Sequence, residues 1–331
     1  MIVTGGAGYI GAHVCHALHE AGWLPIIVDN LSTGHRHAVR WGRLVHLDLR
    51  DRAALQQLFL DERPQAVIHL AAKSIVQDSV RSPLEYYDHN ISGFLSLLSA
   101  MEGASTPILL ISSSAAVYGN PSTVPIPETA PIMPTHPYGQ SKAMIERIAL
   151  DWASALSTQL LCLRYFNAAG ANLSLVLGED HTPETHLIPR LLQAARHRQP
   201  FTVYGQDFNT RDGTAERDYL HVTDLADAHI LAMEALLSTA SGSRPPLPHC
   251  LNVGTEQGTT VLEVIRATEQ LLQQPIDLHW GPRRTEDPDC LIADSRTLRE
   301  ELHWAPTRST LTSILSTAWG WECAKNSYSY C

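Results

Sequence analysis

The sequence predicts an α/β protein: a doubly wound parallel sheet followed by a smaller α/β region. Three observations predict it. From Met1 to about residue 170, short apolar runs alternate with longer helix-like stretches, the signature of parallel strands joined by crossover helices. The first run enters a glycine-rich turn that leads directly into a helix. Beyond Gly170, loops lengthen and single strands interrupt the helices. The expected division is 1–170 for the main domain and 171–331 for the smaller region, with segments near 219–255 returning to the main sheet.

Met1 to Thr4 reads as a buried first strand. Gly5-Gly6-Ala7-Gly8-Tyr9-Ile10-Gly11 follows, then a helical stretch reaching Ala21 and Gly22. Glycines at this spacing permit a tight turn and let backbone N–H groups at the helix N-terminus approach a pyrophosphate. A second strand, Pro25 to Val28, ends in Asp29-Asn30, and Asp29 follows Gly11 by 18 residues. That spacing suits a carboxylate on an adenosine ribose, and an acid there repels a 2′-phosphate. The reading is a site for NAD rather than NADP. Gly5, Gly8, Tyr9, Ile10, Gly11, Asp29 and Asn30 are its candidate residues.

Leu44 to Leu47 is a third strand, followed by Asp48-Leu49 and a helix from about Asp51 to Asp61. Ala66 to Leu70 is a fourth and runs into Ala71. Ligands of such sheets sit over the C-terminal strand ends, which nominates Asp48, Leu49, Leu70 and Ala71. Ser82-Pro83-Leu84-Glu85 reads as a capping box opening a helix. On that helix Leu84, Tyr87, Ile91, Leu95, Leu98 and Met101 form an apolar stripe, for the core or for a second subunit. Asn90, on the same helix, is a candidate cofactor contact.

Ile108 to Ile111 is a fifth strand and runs into Ser112-Ser113-Ser114-Ala115-Ala116, which places hydroxyls at the ligand crevice. A proline-rich connection then reaches Tyr138-Gly139-Gln140-Ser141-Lys142, the start of a helix extending to about Leu156. Positions four apart share a helix face, so the Tyr138 phenol and the Lys142 ammonium point the same way. A lysine held close stabilises a phenolate and lowers its pKa, which makes Tyr138 a candidate proton carrier. A sixth strand, Gln159 to Leu163, delivers Arg164-Tyr165-Phe166-Asn167 to the crevice.

In the smaller region, helices are expected at about 185–198, 223–237, 261–271 and 311–321, with strands at Phe201 to Tyr204 and Cys250 to Val253. The second of these strands is expected to rejoin the main sheet in parallel. Arginines cluster with acids around 211–219 and 283–287. In a chain of net charge -10 they suit a phosphate-bearing substrate, or else form solvated salt bridges.

That acidity disfavours nucleic acid as the main partner. No apolar run reaches the roughly 18 residues that cross a bilayer, so no membrane partner is expected. The first residues lack the basic and apolar stretches of a signal peptide. The six cysteines include no Cys-x-x-Cys pair, which suits a reduced cytoplasmic protein. The histidines, among them His13, His16, His19, His35 and His37, stand at no zinc-like spacing to carboxylates or cysteines. They read as surface and helix-face residues, and no metal is expected.

Several stretches in order resemble the extended short-chain dehydrogenase/reductase family, whose core is a Rossmann-type sheet, and within it the UDP-glucose 4-epimerases. They are Thr4 to Gly11, Asp29-Asn30-Leu31, Ser82 to Asp88, Ser112 to Gly119, Tyr138 to Lys142, Leu163 to Asn167, Asp212-Gly213-Thr214, Arg217-Asp218-Tyr219 and His221 to Ala226. The resemblance implies that tightly held NAD takes hydride from C4 of a UDP-hexose and returns it to the other face. Tyr138 would take and return the proton, Ser114 would bond the reacting oxygen, and Lys142 would bind the nicotinamide ribose, with Tyr165 also on the cofactor. Asn167, Leu187, Tyr204, Arg217, Arg284 and Asp287 would hold the UDP-sugar. Ala115 and Ala116 stand where dehydratase and decarboxylase relatives carry acids. Leu291 stands where a large aromatic excludes N-acetylated sugars in some members, which keeps UDP-N-acetylhexosamines as alternative substrates; UDP-pentoses are the other alternative. A lyase, a reductase or a non-enzymatic NAD-binding protein is a more distant reading. A homodimer through helices 83–101 and 138–156 is also implied.

Overall fold

The computed structural model describes residues 1–284 and 287–325. Its main sheet contains β1 (Ile2–Thr4), β2 (Ile26–Asp29), β3 (Arg43–His46), β4 (Val67–His69), β5 (Ile108–Ser114), β6 (Gln159–Tyr165) and the strand Cys250–Val253. All seven are parallel, and the order across the sheet is Cys250–Val253, β6, β5, β4, β1, β2, β3. The chain winds outward from β1 to β3, returns to β4, then winds the other way. The reversal opens a crevice at the C-terminal ends of β1 and β4, where ligands of such sheets bind.

Both faces of this sheet are covered, so its central strands are nearly continuous apolar runs. On one face Val14 and Leu18 of the helix Tyr9–Glu20 pack with Leu225, Ala228, Ala232 and Met233 of Val222–Ala240. On the other, Phe59, Phe94, Leu97, Met101, Ile145 and Ala149 come from Arg52–Glu62, Gly93–Gly103 and Pro137–Leu156. The expected doubly wound α/β fold is therefore observed.

The smaller region has its own apolar core, including Ile188, Leu191, Phe201, Val203, Tyr219, Val264 and Ile314. Around it stand the helices Leu187–His197, Val261–Leu272 and Leu311–Ala324. The strand Glu216–His221 pairs with Asn167–Ala169, Gly258–Thr260 and Cys290–Leu291, and Phe201–Tyr204 pairs with Leu278–Gly281.

Two local expectations fail. Ser82 makes no side-chain cap bond, and Glu85 instead pairs with the Lys73 ammonium. The apolar stripe is also broken, because Asp88–Ser92 forms a π-turn. Its wider turn changes the register between the two flanking helices. Leu98 and Met101 stay in the core with Phe94 and Leu97, while Leu84 is 82% and Leu95 44% exposed.

Candidate active site

A cavity of about 390 Å³ lies along the crevice. At one end is the glycine turn. Gly5 has φ of +73°, and a Cβ there would lie 2.6 Å from the Ala71 nitrogen. A Cβ on Gly11 would lie 2.1 Å from the Gly5 carbonyl oxygen, so the helix can approach the turn only without a side chain. Gly8 leaves more room, its nearest neighbour being 3.4 Å away. No side chain caps the helix Tyr9–Glu20, so its first N–H groups remain available to an anion in the cavity.

Asp29, at the end of β2, accepts the Ala7 N–H at 3.0 Å and the Leu31 N–H at 2.8 Å. Asn30 donates to Asp48 at 2.9 Å. The Arg50 guanidinium holds the Asp48 carboxyl well below the usual carboxylate range. Leu49, Leu70 and Ala71 continue the wall beside Tyr9 and Ile10. A glycine cradle, an open helix N-terminus and a fixed carboxylate at the next strand end are the features a dinucleotide requires.

Asn90 does not line this cavity. It is 1% exposed and lies behind the wall, donating to Ser141 Oγ at 2.9 Å and to the Lys73 carbonyl at 3.1 Å. Its carbonyl oxygen accepts the Lys73 N–H at 2.8 Å. Asn90 thereby ties the loop after β4 to the Tyr138 helix.

At the other end of the cavity β5 extends to Ser114, beyond the expected end at Ile111. Side chains alternate along a strand. Ser112 and Ser114 face the cavity, while Ser113 points behind it to Glu146. Pro137 opens the Tyr138 helix and His136 caps it, accepting the Gly139 N–H at 3.1 Å. Tyr138 and Lys142 both line the cavity with Ser114, as the four-residue spacing predicts, and the Ser114 hydroxyl is near enough to lower the Tyr138 pKa. Tyr165, at the end of β6, bonds Ser112 Oγ and closes the group.

The expected depression of the tyrosine pKa is not what these contacts give. Burial raises the Tyr138 phenol above 10, and only the Ser114 hydroxyl lowers it. Lys142 donates to the Ser112 carbonyl at 2.7 Å instead. Burial brings its ammonium down to about 8, opposed by the charge of Glu146.

Of the substrate candidates, Asn167 lines the cavity. Leu187 opens the helix Leu187–His197 without lining it. Tyr204, Arg217, Arg284 and Asp287 form a separate group in the smaller region. The Arg284 guanidinium lies 4.2 Å over the Tyr204 ring, and Asp287 donates its N–H to the Arg284 carbonyl at 3.3 Å. Arg217 donates to the Pro288 carbonyl at 2.9 Å; burial lowers its pKa, and Asp287 opposes this. Arg211 and Arg283 take the salt-bridge role, with Glu216 and Glu263 and with Asp289. Among the described residues Arg217 and Arg284 have no carboxylate ion-pair partner.

Residues 1–254 match the NAD dependent epimerase/dehydratase family. The chain belongs to this family. It is 42% identical to a UDP-glucose 4-epimerase of Rhizobium leguminosarum bv. trifolii, covering 99% of this chain and 98% of that protein. A UDP-glucose 4-epimerase of Lacticaseibacillus casei is 44% identical, with 97% and 96% covered. The crystal structure of a Brucella ovis UDP-glucose 4-epimerase in complex with NAD matches at a TM-score of 0.90 and 42% identity, covering 96% of this chain and 97% of that one. A Bifidobacterium longum UDP-glucose 4-epimerase in complex with NAD+ and UDP gives 0.90 at 34% identity, with 99% and 98% covered.

The epimerase-family cleft of this chain has one wall that spacing did not reveal. Glu179, His181 and His186 reach the cavity from the loop before Leu187–His197. His186 Nδ1 lies 2.6 Å from Glu179 and 3.0 Å from Glu184. Burial raises the Glu179 carboxyl, but the His186 and His181 charges prevail and hold it at about 2. His35 and His37 likewise face Asp180, at 3.8 and 3.6 Å. The histidines stand at no zinc-like spacing to these carboxylates in the sequence, yet the fold sets four of them against acids. Asp180 lies 145 positions beyond His35, and the fold alone brings them together. Imidazole–carboxylate hydrogen bonds and ion pairs account for the contacts seen.

Proposed function

We propose that this chain is a UDP-glucose 4-epimerase, interconverting UDP-galactose and UDP-glucose. The observation that carries the reading is the meeting of Ser114, Tyr138 and Lys142 at one wall of a cavity whose far end is the glycine turn. Gly5, Gly8, Gly11 and Asp29 hold the NAD diphosphate and adenosine ribose, and Lys142 and Tyr165 flank its nicotinamide end. NAD, when bound, supplies the hydride acceptor and then the hydride donor for C4 of the sugar. Tyr138 takes the proton from the 4-hydroxyl and later returns it to the same oxygen. Ser114 donates a hydrogen bond to that oxygen and keeps it within reach of the phenol. Ala115 and Ala116 follow Ser114 and offer no acid or base for elimination.

Asn167, Leu187, Tyr204, Arg217, Arg284 and Asp287 hold the UDP part. Arg217 and Arg284 suit the diphosphate, and Tyr204 offers a flat face to the uracil. Residues 1–170 thus carry mainly the cofactor and 171–331 mainly the substrate. The partly exposed Leu84, Leu95 and Met144, on the helices near 83–103 and 137–156, support a homodimer. Free cysteines at 15, 162, 250, 290 and 323 support a reducing, cytoplasmic setting, and the substrate pair places the enzyme in galactose metabolism.

The test is conversion of UDP-galactose by pure enzyme without added cofactor, run beside N-acetylated and pentose UDP-sugars. Conversion of UDP-galactose supports the assignment; turnover of another sugar with none of UDP-galactose rejects it. The glycine turn is checked separately. Gly11→Ala places its Cβ on the Gly5 carbonyl and is expected to weaken NAD retention at least about tenfold, or 1.4 kcal/mol. The NAD content of the purified variant measures this.

A further inference from the structure

Behind the cavity, on the opposite face of β5, a buried polar network joins the same three elements that carry Ser114, Tyr138 and Tyr165. At its centre are Glu146 and Arg164, 4% and 5% exposed. Arg164 grips the carboxylate with one edge of its guanidinium, Nε to Oε1 at 2.9 Å and Nη2 to Oε2 at 2.6 Å. Ser113 Oγ donates to the same Oε1 at 2.5 Å. The remaining Arg164 nitrogen reaches the Tyr118 hydroxyl at 3.0 Å and the Glu128 carbonyl at 3.2 Å. Tyr118 in turn donates to Asn252 at 2.7 Å.

Stability alone is a poor reason for this arrangement. Desolvating two charges costs about as much as their attraction returns, and apolar side chains of similar volume often serve stability equally well. What the network does provide is fixed spacing. Ser113 adjoins Ser114, Arg164 adjoins Tyr165, and Glu146 lies one helical turn beyond Lys142. A shift of the Tyr138 helix along β5 would break the Glu146 bond to Ser113 together with the Lys142 bond to Ser112.

We propose that Glu146 is a positioning residue for the epimerisation. Its carboxylate clamps the Tyr138–Lys142 helix to Ser113 of β5 and to Arg164 of β6, and so sets the Ser114–Tyr138 spacing used in proton transfer. This rests on the assignment of Ser114 and Tyr138 made above.

The test compares Glu146→Gln and Ser113→Ala with wild-type enzyme. The glutamine keeps the shape and loses one arm of the Arg164 fork. The alanine removes the strand-to-helix bond and leaves the ion pair intact. Misplacement of a reacting group by about 1 Å costs up to ~100-fold in rate. Glu146→Gln is expected to lose about 10- to 100-fold in kcat, and Ser113→Ala less. KM for UDP-galactose and bound NAD should stay unchanged, and the pH profile of kcat should move in Glu146→Gln. Wild-type kcat and pH profile in both variants would overturn the proposal. So would a fall of kcat, NAD content and Tm together, which marks a purely structural role. If Glu146→Gln does not fold, Ser113→Ala is judged by kcat against KM and NAD content. An active Tyr138→Phe enzyme would remove the reading beneath the proposal, whereas an inactive one beside normal Glu146 and Ser113 variants removes the proposal alone.

Discussion

Tyr138→Phe is expected to lower epimerisation of UDP-galactose by about 100- to 10,000-fold, the range a positioned proton carrier contributes, while NAD stays bound. The substitution removes one oxygen. The ring still stands parallel to His136, with centroids 6.1 Å apart, and still fills the cavity wall. The groups assigned to cofactor retention lie elsewhere, at the glycine turn, Asp29 and Asp48. What disappears is the hydroxyl beside Ser114. Ser114 cannot substitute, because an aliphatic hydroxyl is a far weaker acid than a phenol and does not ionise to a base near neutral pH. The measurement is single-wavelength detection of bound NAD together with turnover. An unaltered rate at full NAD occupancy would take the proton-carrier role away from Tyr138.

Local features were the legible ones. The glycine turn and Asp29 lie in one strand–helix–strand unit, so linear spacing alone specifies them. Tyr138 and Lys142 share a face because four residues make about one helical turn. The direction of the Tyr138 pKa was not legible, since pattern can place a lysine nearby but cannot weigh burial against a hydrogen bond. The strand Glu216–His221 was hidden for a related reason. Its polar spelling reads as surface, yet Asp218 is fully buried and accepts backbone N–H groups of Thr255, Glu256 and Ala293. An acid used as an internal hub looks in sequence like an acid in solvent. The π-turn at Asp88–Ser92 and the meeting of His35 with Asp180 depend on tertiary packing and left no local signal.

Stability is expected to fall steeply as pH drops from about 6.5 to 4. Four histidines are almost fully buried: His13, His69, His221 and His229. Burial pushes His13, His221 and His229 down to about 4 and His69 to about 3. His13, His69 and His229 each have a ring Nε2 without a hydrogen-bond partner, so a proton added there has nothing to bond. In the unfolded chain a histidine titrates near ~6.5. Between that value and the folded values the unfolded chain binds more protons, so stability falls as pH falls. Each group contributes a slope of up to about 1.4 kcal/mol per pH unit, and four give roughly 5 kcal/mol per unit near pH 5. His186 does not flatten this slope. The Glu179 charge raises its pKa, so below 6.5 it is protonated folded and unfolded alike; its stabilising contribution is lost only as pH rises through the folded value. The buried carboxyl of Asp218, raised by desolvation, acts with the opposite sign at the lower end of the window. Set against a total stability of about 5–15 kcal/mol for a typical domain, the histidine contribution is a large fraction of the whole by pH 5. Urea midpoints at pH 7, 6 and 5 would show it, and His229→Gln should remove about a quarter of the slope. A midpoint constant from pH 7 to 5 would mean that these imidazoles are protonated in the folded protein and that the core around them admits charge.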